Sequence, residues 1–365
     1  MSKNSLCRKY RPFQIDDVVG QKFLVATLKQ ASISNKFAQS YIFSGTKGSG
    51  KTSAARIVAN MLTCTDIKDG ILCGKCAACT KIPSGFSYDV VELDGAAQRG
   101  VDEIEKLIAG ARYSPSEFTK KVYILDEAHQ LSNTAISAML KIVEEPPDYL
   151  TFIFCTTEID KIPDTILSRS QRFHFSKITS KDVANRLRFI ATQEKIDVTD
   201  DALISLARLG RGSMRDSIGC LEQIATLVDG KSITDKHVMK YFGVADKLAI
   251  MNMVQAMLKQ DFSLLLDQVN DLIMASANIK DVLYEISDVF RGIMILKAQN
   301  GNVKLLDLSD SELGKLKELA TSFKLSTNDA LCRAFGNVNR ELEYNINDRW
   351  VLETTLIRCA SLLKT

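Results

Sequence analysis

The chain has 365 residues, 45% of them hydrophobic, and its 47 Lys and Arg against 44 Asp and Glu give a formal net charge of +3 at pH 7. This small charge excludes a strong overall attraction to nucleic acid, so any contact with DNA must come from a local patch or from several subunits together. There is no apolar stretch of about 18 residues or more, and the start lacks the apolar segment of a secretory signal. We therefore expect two or three domains in a cytoplasmic protein that does not cross a membrane.

The first motif along the chain is a glycine-rich loop, Gly45–Thr52, which matches the phosphate-binding pattern G-x-x-x-x-G-K-[ST] in full. An apolar run at 41–44 predicts a strand before it, and apolar spacing over 51–62 predicts a helix after it. In this setting backbone N–H groups cradle phosphates, Lys51 reaches the β- and γ-phosphates, and the Thr52 hydroxyl binds Mg²⁺. The residues expected to bind nucleotide here are Gly45, Thr46, Lys47, Gly48, Ser49, Gly50, Lys51, Thr52 and Ser53.

Four cysteines follow the loop at close spacing: Cys64, Cys73, Cys76 and Cys79. The short steps between thiols are typical of a tetrahedral zinc site, and Gly70 is placed to turn the chain around an ion. Two disulfides are the first alternative, which the expected cytosolic location disfavours. An iron–sulfur cluster is the second, although the spacing is not a common ferredoxin pattern. We predict a structural zinc module at 64–79.

An apolar run, Lys121–Glu127, ends in two carboxylates, as a buried parallel strand does when its acidic end lies at a ligand-binding edge. Asp126 is then expected to bind the Mg²⁺ shell, and Glu127 to polarise an attacking water. The alternative is a strand that ends in solvated charge, which would be favoured if the glycine-rich loop were absent. The histidines (129, 174 and 237) fit no catalytic constellation, so we expect them at core or surface positions.

The remaining pattern divides the chain into an α/β part and an all-helical part. All six prolines lie at or before Pro163, and three- and four-residue apolar spacing continues beyond it, which predicts helices to the end of the chain. The predicted domains are 1–178 (parallel sheet with helices), 179–243 (helical, with Thr179 or Ser180 capping its first helix) and 244–365 (helical). The predicted strands lie around 41–44, 88–93, 121–126 and 151–156.

These features together resemble the γ/τ subunits of bacterial DNA polymerase III, which belong to the AAA+ ATPases. The resemblance covers nearly the whole chain and is carried by Arg8–Pro12, Asp17–Gln21, the four cysteines, and Leu140–Lys141 followed by Glu144–Pro147. It implies a P-loop AAA+ domain with a parallel sheet and zinc module, an all-helical lid, and an all-helical collar for oligomerisation.

The resemblance also implies roles for single residues. Tyr10, Arg11 and Val19 match positions near the adenine and ribose. Thr157, with Thr156 as the alternative, would contact the γ-phosphate or the attacking water. Arg169 would reach the ATP site of a neighbouring subunit, and Arg215 would contact its own nucleotide. At position 170 this chain has Ser where the family's Ser-Arg-Cys motif has Cys, which leaves the packing of that motif open.

The activity implied by the resemblance is ATP-driven loading of the sliding clamp onto primer–template DNA, as part of the DNA-directed DNA polymerase III holoenzyme. ATP, Mg²⁺ held by Thr52 and Asp126, and Zn²⁺ are the implied ligands. The implied partners are other clamp-loader subunits in a hetero-pentamer-type ring, the clamp and DNA. The chain ends about where the collar of the family ends, as in the short form of the family, although the sequence leaves open a longer form with further domains.

Two other functions compete with this one. A non-catalytic assembly subunit, such as the δ′ stator of the clamp loader, shares the fold and the zinc module, but the intact set of Lys51, Thr52, Asp126 and Glu127 argues against it. Another AAA+ motor, such as a Holliday-junction helicase or a replication factor C small subunit, is disfavoured by the four-cysteine insertion.

Overall fold

A computed structural model of the chain describes residues 5–85, 87–97, 101–228, 230–243, 246–274, 278–298, 306, 308, 310–322, 330–335, 338 and 347–362. The chain forms two compact units, Met1–Ser232 and Ile233–Thr365. The boundary between the units lies after Ser232, ahead of the linker expected near residue 243. The three-domain division at 178 and 243 stays a prediction.

The first unit is built on a five-stranded parallel sheet with the strand order β2-β3-β4-β1-β5. The four predicted strands are confirmed, and the edge strand β5 is an addition to them. Only Phe173 and Phe175 of β5 are buried, so its alternation is too short to stand out from a loop. The strands are β1 Ser40–Gly45, β2 Val90–Asp94, β3 Lys121–Asp126, β4 Leu150–Thr156 and β5 Gln171–Phe175.

Helices cover both faces of this sheet, as expected for an α/β fold. On one face, Leu28 of α2 and Val58 of α3 pack with Phe43 of β1. On the other, Leu107 of α5 and Met139 of α6 pack with strand residues that include Phe152. The helices are α1 Leu6–Lys9, α2 Lys22–Ile33, α3 Lys51–Thr63, α4 Ala77–Ser84, α5 Val101–Ala111, α6 Asn133–Glu144 and α7 Asp164–Arg169, with 3-10 turns at Ile15–Asp17, Ala128–Gln130 and Ile159–Lys161.

Three further helices complete the first unit: α8 Ser180–Glu194, α9 Asp200–Leu209 and α10 Met214–Val228. The predicted cap of α8 is confirmed, because the Thr179 hydroxyl accepts a hydrogen bond from Asp182 N at 3.2 Å. The start of α10 docks on the glycine-rich loop, where Met214 N donates to Gly48 O at 3.1 Å. The α8–α10 group therefore forms one wall of the site beside the glycine-rich loop.

The second unit is helical throughout the part that the structure describes. Its core contains the predicted stripe of Leu283, Ile286, Phe290 and Ile293, each at most 2% exposed. No described helix is both long and apolar enough to cross a membrane. The helices are α11 Asp235–Phe242, α12 Lys247–Lys259, α13 Phe262–Met274, α14 Ile279–Ala298, α15 Asp310–Ser322 and α16 Asp348–Leu362, with further helical residues at 330–335.

Asp89 holds the loop that leads into β3. Its carboxylate is buried and accepts hydrogen bonds from the backbone N–H groups of Ser116, Glu117 and Phe118. Burial raises the pKa of Asp89, but the three hydrogen bonds outweigh it, so the pKa lies below its usual value. The ionised carboxylate is therefore part of the folded structure.

We predict that Asp89→Asn destabilises the first unit by about 2 kcal/mol, because an amide N–H₂ would face backbone donors. Because folding lowers the pKa of the Asp89 carboxyl, its stabilising effect is complete above the pKa of Asp in the unfolded chain, about 3.9. The effect is lost as the pH falls through the lower pKa of Asp89 in the folded protein. Urea unfolding of wild type and of Asp89→Asn at pH 7 and at pH 3 measures this stabilisation. The difference between their free energies of unfolding should become smaller at the lower pH. Asp94→Asn, at the exposed end of β2, the strand that begins directly after Asp89, is the control and should change stability by less than about 1 kcal/mol. Equal midpoints for Asp89→Asn and wild type at pH 7 would contradict the assignment.

Candidate nucleotide site and metal centre

The glycine-rich loop has a backbone that side chains would disrupt. Gly45 has φ 141°, and a Cβ built there would lie 2.3 Å from Phe175 O. Gly48 has φ 73°, and a Cβ there would lie 1.9 Å from the Ser213 hydroxyl. The two glycines thus allow β5 and the start of α10 to approach the loop closely.

Lys51 is buried within the loop, at 6% exposure. Its Nζ donates hydrogen bonds to Gly45 O at 2.8 Å and Thr46 O at 2.9 Å. Burial lowers the pKa of Lys51, while the nearby acidic groups oppose that shift. An ammonium held in this way is placed to exchange loop carbonyls for phosphate oxygens.

Thr52 and Asp126 meet across the carboxyl edge of the sheet. Thr52 Oγ1 donates to Asp126 Oδ2 at 2.8 Å, and Asp126 Oδ1 accepts from Glu127 N at 3.0 Å. A hydroxyl and a carboxylate side by side are the hard oxygen donors that Mg²⁺ prefers. These two residues therefore fit the predicted magnesium position.

Glu127 follows Asp126 with a left-handed backbone, φ 46° and ψ 43°. A non-glycine residue in this region is strained, and such strain is concentrated at functional sites. Its Oε2 atom is buried and accepts no hydrogen bond from the described residues. The strain and the unpaired oxygen are consistent with a carboxylate that acts on a bound group.

A cavity of about 600 Å³ adjoins the loop and is closed by the N-terminal segment and by α8 and α10. Most of the predicted nucleotide residues line it, namely Tyr10, Arg11, Val19, Lys47, Gly48, Ser49, Gly50, Lys51, Thr52, Ser53, Asp126, Glu127 and Arg215. Sequence reasoning missed several further lining residues: Cys7, Asp17, Val18, Ile178, Arg186, Met214 and Ile218. Asp17 and Val18 lie within Asp17–Gln21, one of the segments that carry the family resemblance, and Met214 directly precedes Arg215. No local sequence motif indicates that Ile178, Arg186 or Ile218 lines a ligand site.

The N-terminal wall of the cavity is tied to α8. Tyr10 donates its hydroxyl to the Glu194 carboxylate, and Lys9 Nζ lies 2.6 Å from the same group. Burial and then this hydrogen bond raise the pKa of Tyr10 to about 12, so the phenol remains a donor. Burial also lowers the pKa of Arg11, and the like charges of Arg56 and Arg215 lower it further. The cavity thus presents a cationic wall suited to an anionic ligand.

The two threonines after β4 differ in their surroundings. Thr156 is fully buried, and its hydroxyl is hydrogen-bonded to the backbone of Glu158 and lies 3.2 Å from His129 Nδ1. Thr157 is half-buried, so of the two it has the more accessible side chain. Neither is among the described residues that line the cavity, and the role of Thr157 stays a prediction.

Arg169 lies at the end of α7 and is also not among the described cavity residues. Its guanidinium is 42% exposed and pairs with Glu144 Oε1 at 3.1 Å. The next residue, Ser170, donates its hydroxyl to Ile166 O at 2.7 Å and lies 2.7 Å from Ser40 Oγ. Serine in place of the family cysteine thus ties the end of α7 to the start of β1.

The four predicted metal ligands converge. Their sulfur atoms all lie within 4.8 Å of one another. The Sγ of Cys64 lies 3.8 Å from that of Cys76 and 3.7 Å from that of Cys79, and Cys73 and Cys79 are 4.0 Å apart. A tetrahedron with Zn–S bonds of about 2.3 Å has edges of about 3.8 Å, whereas a disulfide needs about 2.05 Å. The thiols therefore fit a zinc ion and are not disulfide-bonded.

Local backbone geometry supports this convergence. Gly70 and Gly74 have φ values of 77° and 71°, which turn the chain between the ligands. Burial raises the pKa of Cys76, but hydrogen bonds from backbone N–H groups outweigh it and lower that pKa to about 6. Gln14 fixes the module to the N-terminal segment, since its amide donates to Leu72 O at 3.0 Å and accepts from Leu72 N at 2.9 Å.

Comparisons with protein families match three successive segments of the chain. A model of the DNA polymerase III delta subunit matches residues 20–179. A model of the ATPase lid domain of the DNA polymerase III clamp loader subunit matches 182–230, and one of domain III of the DNA polymerase III gamma and tau subunits matches 233–365.

Individual proteins agree with these matches. The tau subunit of DNA polymerase III from Bacillus subtilis is 37% identical over 301 residues, which is 82% of this chain and 53% of that protein. The gamma subunit of DNA polymerase III from Buchnera aphidicola is 29% identical over 367 residues, and the alignment covers the full length of both proteins. This chain thus spans about half the length of the tau protein.

Among solved structures, the Thermotoga maritima RuvB Holliday junction branch migration motor superposes with a TM-score of 0.50 at 17% identity, over 68% of this chain and 78% of its own. At this identity the likeness concerns the fold alone.

We predict one zinc ion per chain, measured by elemental analysis of the purified protein. Cys79→Ser should abolish the zinc content and lower the thermal unfolding midpoint, because a hydroxyl is a poor replacement for a thiolate ligand. Cys220→Ser, at a half-buried cysteine outside the cluster, is the matched control and should retain the metal. Protein without stoichiometric zinc, or with the absorption of an iron–sulfur cluster, would contradict the assignment.

Proposed function

Because this chain belongs to the γ/τ family of bacterial DNA polymerase III subunits, we propose that it is an ATP-hydrolysing subunit of the replicase's clamp loader. It opens the sliding clamp and places it on primer–template DNA, acting in the cytoplasm. The observation that carries the proposal is the contact between Thr52 and Asp126, 2.8 Å long, beside the buried Lys51 ammonium. A phosphate cradle, a cation position and an acidic strand end thereby meet in an AAA+ fold.

In this proposal each residue has a defined task toward ATP. The loop N–H groups and Lys51 bind the phosphates and neutralise charge that develops on the γ-phosphoryl oxygens. Thr52 and Asp126 hold Mg²⁺, which supplies further charge neutralisation when bound. Glu127 orients the attacking water, and the Tyr10 and Arg11 wall receives the base and ribose. Arg215 contacts the nucleotide from the start of α10, which packs against the loop.

A non-catalytic assembly role is the competing function. It requires only the fold and the four-cysteine module, and it gives no task to a Thr52 hydroxyl paired with Asp126 or to a lysine buried against the loop. The complete set of nucleotide residues favours the motor.

The proposal places Arg169 at the nucleotide of a neighbouring subunit. Among the described residues, Arg169 is partly exposed and is held by Glu144, by the Thr165 carbonyl and by the Ser168 hydroxyl. An exposed ion pair contributes little to stability, about 0–1 kcal/mol. Breaking the pair between Arg169 and Glu144 so that the guanidinium can contact a neighbouring subunit therefore requires little free energy. Hydrolysis then depends on ring geometry. The ring binds DNA through Lys and Arg contacts to phosphates, largely without reading sequence.

We predict that Arg169→Ala leaves nucleotide binding by the mutated chain unchanged but lowers hydrolysis at the adjoining site by about 10³-fold or more. Lys51→Ala should instead weaken ATP binding and abolish turnover at its own site. A matched surface arginine, Arg188, which pairs with Asp200 on the α8–α10 group, should tolerate replacement by Ala.

Mixing tests the assignment to a neighbouring subunit. Assemblies that contain both Lys51→Ala and Arg169→Ala chains have some interfaces with an intact loop and an intact arginine, so phosphate release should partly return. If mixed assemblies form, as shown by mass spectrometry, but turnover never returns, the trans role of Arg169 is wrong. If Lys51→Ala hydrolysed ATP at the wild-type rate, the proposed motor function would be wrong.

A further inference from the structure

His129 lies beside the proposed water-activating carboxylate, in the 3-10 turn Ala128–Gln130. Its side chain is only 6% exposed and is flanked by two carboxylates. The Nδ1 atom lies 3.5 Å from Glu127 Oε2, and the Nε2 atom lies 3.3 Å from Glu158 Oε1. The sequence alone gave this histidine no role.

The Glu127 carboxylate needs a donor from the protein. Its Oε2 is buried and accepts no hydrogen bond from the described residues, and a buried polar atom without a partner is unfavourable by about 1–3 kcal/mol. At 3.5 Å the His129 contact is longer than a hydrogen bond, as catalytic contacts often are before the ligand binds. A small shift of the carboxylate would bring the two groups into bonding distance.

The same nitrogen faces the end of β4. Thr156 Oγ1 lies 3.2 Å from His129 Nδ1 and donates its own proton to Glu158 O at 3.1 Å. Because its proton is used in this way, Thr156 Oγ1 can accept the Nδ1 proton. The Nδ1–H group is therefore directed between Thr156 and Glu127, which joins the ends of β3 and β4.

The far edge of the ring is anchored as well. Lys161 Nζ lies 2.9 Å from Glu158 Oε2, and this hydrogen bond lowers the pKa of the Glu158 carboxyl. The ionised carboxylate faces Nε2, so both ring nitrogens lie beside carboxylate oxygens and the two contacts are satisfied together when both nitrogens carry a proton.

We infer that His129 is a positioning residue for ATP hydrolysis, which holds the Glu127 carboxylate against the end of β4. The carboxylate that orients water and the end of β4, which Thr157 directly follows, are thereby kept in one arrangement. His129 does not touch the nucleotide and acts through Glu127. The inference rests on the proposed ATPase function, and the test separates the two.

The test compares three replacements of His129 in the full chain, in the assembly in which wild type hydrolyses ATP. His129→Ala removes both ring nitrogens and leaves the Glu127 carboxylate without its positioning contact. It should lower kcat by about 10- to 100-fold, since misplacing a catalytic group has effects of that size. Binding of a fluorescent ATP analogue with Mg²⁺ should change by less than about threefold, because the phosphate cradle is untouched.

Two amides then distinguish the two ring nitrogens. His129→Asn keeps an N–H₂ group near the position of Nδ1, within reach of Thr156 and Glu127, and should recover part of the lost kcat. His129→Gln places its amide nearer to Nε2 and Glu158 and should resemble His129→Ala. His237→Ala, which removes a histidine in α11 of the second unit, is the control and should match wild type in kcat.

A double-mutant cycle with Glu127→Gln provides the decisive readout. If His129 acts through Glu127, adding His129→Ala to Glu127→Gln should cause little further loss of kcat, although each change alone causes a large one. Additive losses would overturn the inference, as would wild-type kcat for His129→Ala or equal recovery by Gln and Asn. If Glu127→Gln itself hydrolyses ATP normally, Glu127 does not act in hydrolysis and the inference fails while the ATPase function stands, whereas absence of hydrolysis by the wild-type assembly would contradict the proposed function itself.

Discussion

The 2.8 Å hydrogen bond between Thr52 and Asp126 is the constraint on which the nucleotide site depends. β1 and β3 are not neighbours, because β4 lies between them in the sheet. Only parallel strands in matched register bring the loop after β1 and the acidic end of β3 to the same edge. The near-complete burial of these three strands fixes that edge and with it the positions of the loop, the hydroxyl and the carboxylate.

Elements outside the sheet are attached to this edge by few and specific bonds. The α8–α10 group reaches the loop through Met214 and Gly48 and reaches the N-terminal segment through Glu194 and Tyr10. The zinc module reaches the same segment through the two hydrogen bonds between Gln14 and Leu72. These few hydrogen bonds hold the α8–α10 group and the cysteine module to an edge whose central strands are almost fully buried. This division, a rigid edge with attached walls, is suited to coupling hydrolysis with assembly.

The glycine-rich loop, the acidic strand end and the cysteine cluster could be located from the sequence because each motif is local, with its chemistry set by short spacing, whereas Tyr10, Arg11, Val19 and Arg215 were indicated only by the family resemblance. The β5 strand could not, since one buried face of two phenylalanines gives too little periodicity. Ile178 and Arg186 reach the cavity only through the tertiary fold. His129 escaped notice because its partners, Thr156 and Glu158, are distant in sequence and converge at the sheet edge.

The most direct test of the central claim is phosphate release from ATP by the chain assembled with other clamp-loader subunits, measured with Mg²⁺ in the presence and absence of the sliding clamp and primed DNA. We expect hydrolysis that requires Mg²⁺ and rises when clamp and primed DNA are added together, because both complete the ring geometry in which Arg169 meets a neighbouring site. Absence of Mg²⁺-dependent hydrolysis from an assembly that binds both clamp and DNA would contradict the motor function and leave a structural role.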